Sequence, residues 1–223
     1  MKKVVSIFLA IALILSFTAC DNGKAQEEAE ATITSFMDNY CAFRLKDASQ
    51  YIQNKDAYPL IYDDIDDAIN SLKSVEMENE VSGLNDSYDL YLKPIFEKNI
   101  EKLSYEIINC EKTEGKFYFT INFESVDIKN VKVEYDQEAI MTEVTDELKE
   151  EGSLTEDMDK DEWQIAISAA MMEKIVPYAL EAIDKAGTTT NEITLVVEKI
   201  DDKYLITDES DLNELMSTVS ISG

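Results

Sequence analysis

Residues Lys116 to Phe123 read KFYFTINF. The odd positions, Phe117, Phe119, Ile121 and Phe123, are all large and apolar. The even positions, Tyr118, Thr120, Asn122 and then Glu124, grow steadily more polar. A period of two puts one face of a strand in an apolar layer and the other at least partly in water. Phe, Tyr, Thr and Ile also fit a pleated, half-buried surface. No other stretch alternates so cleanly. The pattern predicts the central strand of an antiparallel sheet, covered by the helices that precede and follow it, in an α+β domain.

The neighbouring segments extend this sheet. Ser104 to Lys112 pairs with Lys116 to Asp127 across a short turn, Thr113-Glu114-Gly115. A second hairpin reads NEITLVVEKIDDKYLITD. In it Ile193, Leu195 and Val197 alternate, Asp201 and Asp202 turn, and Tyr204 and Ile206 return. About four strands are therefore expected, with a short closing helix in SDLNELMSTV.

Helical spacing dominates elsewhere. Glu27 to Phe43 carries Ile33, Phe36, Met37 and Tyr40 on one side. Asp47 is suited to cap a short helix over Ala48 to Gln53. Asp56 and Pro59 can open the next helix, with Leu60, Ile61, Ile65, Ala68, Ile69 and Leu72 on its apolar side. VEMENEVSGLND reads as a loop. Tyr88, Tyr91, Leu92, Ile95, Phe96 and Ile100 make a further helix, kinked or restarted at Pro94. Between the hairpins, residues 129–190 read as a helical insertion. One helix there is capped by Asp136 and ended by Gly152, and a longer one runs from Trp163 to Ala186 with Pro177 bending it and Gly187 closing it.

FMDNYCAFRLKDASQYI resembles the opening helices of cystatin-like, nuclear-transport-factor-like domains. The ending, a strand, an acidic turn, KYLI and a small helix, resembles cystatin-like domains of unknown function in lipoproteins of Gram-positive bacteria. The resemblance implies a curved antiparallel sheet crossed by N-terminal helices, and a single domain over 29–223. It carries no catalytic motif, so it assigns no functional residue.

At the N-terminus, Lys2 and Lys3 precede an uncharged, mostly apolar run from Val4 to Phe17, then the small Thr18 and Ala19, then Cys20. That order is the build of a signal peptide over 1–19. The run is short for a hydrocarbon core of ~30 Å, which needs about 20 residues. SFTAC resembles a bacterial lipoprotein signal, although Phe17 stands where that family usually has Leu. The resemblance implies cleavage before Cys20, a diacylglyceryl group on its sulfur, and a lipid anchor on the extracytoplasmic face of the cell membrane. An ordinary signal peptide with an incidental Cys20, or an uncleaved anchor, is the competing reading. Cleavage would remove Lys2 and Lys3 and take the net charge from −27 to −29. Residues 20–28 would serve as a polar tether, and repulsion from anionic lipid would hold the domain off the bilayer.

Composition narrows the function further. With 45% hydrophobic residues, six Gly and three Pro, the chain is globular in type. A net charge of −27 repels nucleic-acid phosphates, and no basic stripe offsets it. The chain has no histidine, which removes Ser-His-Asp and Cys-His catalysis and imidazole metal sites.

Four groups of residues are candidate sites. Asp157, Asp159 and Asp161 have the 1, 3, 5 spacing of a calcium loop, but Glu162 and Ser168 occupy the positions that need Gly and Glu. An acidic cap on the following helix explains them as well. Asp63, Asp64, Asp66 and Asp67 spread over half a helix circumference, as a solvated face does. Cys41 and Cys110 are either a disulfide of an exported protein or two buried thiols. Tyr40, Tyr51, Tyr58, Tyr62, Tyr88, Tyr91, Tyr105 and Tyr118 line a ligand pocket or simply pack at the edge of the core. No cofactor is indicated. The expected function is a non-enzymatic, lipid-anchored binding or interaction module for an unknown protein or small molecule. The alternatives are a cone-fold isomerase with an Asp or Glu base and a Tyr donor, and an acidic cation-binding surface protein.

Overall fold

A computed structural model of the chain describes residues 22–58, 62–77, 85–155 and 157–217. Helices α1 (Asn22–Cys41), α2 (Leu45–Ser49), α3 (Ile65–Met77) and α4 (Asn85–Ile100) come first. Strands β1 (Ser104–Thr113) and β2 (Lys116–Val126) follow. Helices α5 (Gln137–Glu150) and α6 (Lys160–Ala186) intervene before β3 (Thr188–Ile200), β4 (Lys203–Ile206) and α7 (Leu212–Ser217). The four strands form one antiparallel sheet in the order β1-β2-β3-β4. Both hairpins turn on two residues with positive φ, Glu114 (52°) with Gly115 (88°) and Asp201 (46°) with Asp202 (66°). These are the left-handed pairs that match strand twist.

The register puts the alternating residues of β2 where their pattern requires. Phe117, Phe119, Ile121 and Phe123 are buried, and Phe119 lies between Cys110 of β1 and Leu195 of β3. On the same face Ile193, Leu195, Val197 and Ile206 complete the apolar layer. Helix α1 covers it with Ile33, Phe36, Met37 and Tyr40, all 0% exposed. The Tyr40 ring meets Phe123 edge-on at 6.0 Å, and its hydroxyl donates to the Leu215 carbonyl of α7 at 2.6 Å. The pairing of β1 with β2 shifts between Ile107 and Asn109, a bulge that bends the edge strand.

Several boundaries differ from those the sequence suggested. Residues Asn22–Glu28, expected in the tether, are the first turns of α1. Their Lys, Ala, Gln and Glu are strong helix formers, and Ala25 already packs on the core. Asp47 is inside α2 rather than capping it, because Phe43 takes a left-handed conformation (φ 56°) and the chain re-enters a helix at Leu45. The Phe43 ring is buried edge-on against Phe96 at 6.0 Å. Helix α3 starts at Ile65, not near Pro59, since Asp64 caps it through the Asp67 amide at 2.9 Å. Pro59, Leu60 and Ile61 lie outside the described residues, as does most of the acidic loop before α4. Pro94 falls inside α4, which continues to Ile100. Helix α6 starts at Lys160 rather than Trp163.

The inserted helices do not lie across the second face of the sheet. The main neighbours of α6 are α4 and α5, and α4 in turn meets α3. Lys98 near the end of α4 and Lys102 in the turn after it both reach Asp184 of α6, at 3.0 and 3.1 Å. Lys174 of α6 reaches Glu143 and Glu147 of α5, at 2.8 and 2.9 Å. These two carboxylates raise the Lys174 ammonium pKa above its ordinary value. Among the described residues no helix is long and apolar enough to cross a membrane.

Candidate functional site

The even positions of β2 face away from the helical cover. On that face Val196, the partner of Tyr118, is buried, and beside it the sheet is open among the described residues. A recess of about 420 Å³ is lined by Glu111, Thr113, Tyr118, Thr120 and Thr194. Register brings them together across three strands: Glu111 is opposite Tyr118, and Thr120 is opposite Thr194. Tyr118 and Thr120 are half-buried, so a phenol ring and hydroxyl groups line the floor. One edge of the floor is fixed by side chains acting as strand. Beyond the end of β4, Ser210 Oγ accepts from the Val196 amide at 2.8 Å. Asp211 Oδ2 accepts from the Thr194 amide at 2.7 Å, and the Asp211 amide donates to the Thr194 carbonyl at 2.9 Å. This clamp occupies groups that an edge strand otherwise leaves unpaired. At the opposite end Glu124 accepts from the Ser104 and Thr188 hydroxyls, which hold its carboxyl below the usual range.

The tyrosines do not converge on one pocket. Tyr40, Tyr58 and Tyr91 are buried in the core, Tyr51 and Tyr62 pack against it, and Tyr118 is on the open face. The Tyr88 side chain lies outside the described residues. Tyr105 donates to Asp38 Oδ1 at 2.7 Å. Burial first, and then this carboxylate, push the Tyr105 phenol well above its ordinary pKa. Asp38 itself is exposed. Cys41 and Cys110 are free. Burial, helped by Asp38, pushes the Cys41 thiol up to about 12; burial, helped by Glu30 and Glu111, pushes Cys110 up to about 11. Both stay protonated near neutrality and are poor nucleophiles.

The acidic groups resolve into caps and ion pairs. Asp159 Oδ1 accepts from the Glu162 amide at 2.9 Å, and Glu162 Oε2 accepts from the Asp159 amide at 3.1 Å. This reciprocal pair is a capping box on α6. Hydrogen bonds from the Thr155 hydroxyl and from its own amide hold the Asp157 carboxyl below its usual range. The Asp161 side chain is outside the described residues. Asp63 pairs with Lys46 at 2.9 Å and Asp66 with Lys93 at 2.7 Å. Among the described residues no three His, Cys, Asp or Glu side chains cluster to hold a metal ion. Asp159→Ala is expected to lower stability by ~1 kcal/mol, equally with and without millimolar calcium. Paired thermal melts check this. A calcium-induced rise in melting temperature that disappears in the variant would prove a metal role instead.

No family model matches the chain, and no curated protein or solved structure matches it either.

Proposed function

We propose that this chain is a lipid-anchored binding module on the extracytoplasmic face of a Gram-positive cell membrane. On this reading it has a cystatin-like scaffold and no catalytic activity. Cys20, which lies outside the described residues, carries the diacylglyceryl anchor, and the open face of the sheet meets the ligand or partner. The observation that carries the choice between binding and catalysis is the filled core beneath the sheet. An isomerase of the cone type needs a carboxyl group in apolar surroundings, where desolvation raises its pKa for proton transfer. Here Phe36, Tyr40, Phe117, Phe119 and Phe123 occupy that space, each 2% exposed or less. The buried polar side chains among the described residues are Thr32, Ser125, Thr207 and Ser210, which are hydroxyls rather than acids. The recess of 420 Å³ is instead on the solvent side of the sheet. It offers a ring for stacking, several hydroxyl groups and one carboxylate, Glu111, for hydrogen bonding.

Protease added to intact cells tests the topology. The protein is expected to be degraded while a cytoplasmic marker survives, and before digestion to leave the membrane fraction only with detergent. Protection from protease in intact cells, or extraction by salt alone, would overturn the proposal.

A further inference from the structure

Between the 3-10 turn Ile128–Asn130 and helix α5, residues 131–136, with sequence VKVEYD, have no regular secondary structure. Val131 (φ −69°, ψ 113°) and Asp136 (φ −86°, ψ 97°) both have strand-like backbone. Val, Lys, Val, Glu and Tyr alternate as a strand does, with β-branched and aromatic residues favouring that state. Yet no strand pairs with it. Among the described residues the main-chain groups of Lys132 to Tyr135 make no hydrogen bond. Apolar exposure concentrates around the same segment. Val133 is 40% exposed, Tyr135 38%, Met141 45%, Tyr178 41% and Ile128 65%. The Tyr135 and Tyr178 rings are 6.2 Å apart, so the segment and α6 share one surface. Beside them a recess of about 230 Å³ contains Lys132, Glu134 and Lys185.

The sequence of this edge is its own complement. An antiparallel pair of two copies centred on Val133 puts Lys132 opposite Glu134, Glu134 opposite Lys132, and Val131 opposite Tyr135. Each charged position then faces the opposite sign, and each apolar position faces an apolar one, as favourable cross-strand pairs require. A two-fold axis generates this self-complementary arrangement.

We propose that residues 131–135 are a dimerisation edge, which pairs with the same segment of a second copy. The inference is independent of the membrane reading. Sedimentation of the protein at about 0.15 M salt, where screening over about 8 Å reduces repulsion between two acidic copies, tests it. The wild type is expected to show a concentration-dependent monomer–dimer equilibrium. Lys132→Glu alone and Glu134→Lys alone each place like charges opposite one another and are expected to weaken it about tenfold or more. An equimolar mixture of the two variants restores both opposite-charge pairs, so it is expected to form a heterodimer at wild-type affinity. Val133→Asp, with two like charges on the axis, is expected to be monomeric, with the melting temperature that the wild type has at concentrations where it too is monomeric. A wild type that stays monomeric at millimolar concentration overturns the proposal and leaves the edge to a strand of another protein. Dimerisation seen only after residues 218–223 are removed assigns the edge to the chain's own tail and equally overturns it. So does a dimer that both charge variants leave intact.

Discussion

Phe119→Ala is expected to cost about 3–5 kcal/mol of folding stability, the usual range for truncating a buried Phe. The ring is 0% exposed, lies between Cys110 and Leu195 on the neighbouring strands, and is 6.4 Å from the ring of Phe117. Above it α1 is held at both layers, through Tyr40 to Phe123 and to α7. The surroundings cannot collapse into the space, so the full cavity cost is expected. Tyr118→Ala removes a side chain of similar size from the adjacent position. Because its ring is half-buried on the open face, the loss there is expected to be clearly smaller. Urea denaturation of the two variants gives the comparison. Equal losses would mean that the second face is also covered, and the open-face recess could not exist in solution.

The second large effect is expected at Cys20. If its sulfur carries the proposed diacylglyceryl thioether, Cys20→Ser removes the atom that bears the lipid. Two acyl chains, at ~0.8 kcal/mol per buried methylene, separate a stable anchor from a transient one. The variant is expected to lose all incorporation of labelled fatty acid. It then either accumulates as a precursor with its leader attached or appears in the medium. Fatty-acid labelling that persists in Cys20→Ser would sink the lipoprotein assignment.

The sheet was legible because β2 has one dry face and one wetter face, which writes a period of two into it. In β3 the alternation breaks at Val196, which is buried between Leu195 and Val197. The turns were legible because Gly115 and the Asp201-Asp202 pair tolerate positive φ. Local chemistry misled where two readings shared the same residues. Asp47 looks like a cap, but the left-handed Phe43 had already set the start of α2. Asn22–Glu28 looks like a tether because it is polar, although its residues favour helix and need only the contact of Ala25 to continue α1. The open-face recess was beyond the sequence for a different reason. Glu111, Tyr118 and Thr194 meet only through strand register, and the clamp of Ser210 and Asp211 on β3 has no periodic signature. The eight tyrosines left a common pocket and core-edge packing both open, because composition holds no record of which side of a sheet or helix each one occupies.

The antiparallel ladder of β2 and β3 joins Phe117 to Val197 and Val126 to Thr188, with both inserted helices between them. Closing so long a segment is paid for before its contacts are made, so the central strands are expected to meet late in folding. The β1–β2 hairpin closes over two residues and is expected to form early, which would leave the Phe-rich edge of β2 open to other chains in the interval. A chain delivered N-terminus first lengthens that interval, because β3 arrives only after α6. The acidic charge of the whole molecule then acts as a kinetic safeguard. Half-folded copies repel one another during the stage when an unpaired aromatic strand would otherwise recruit them into aggregates.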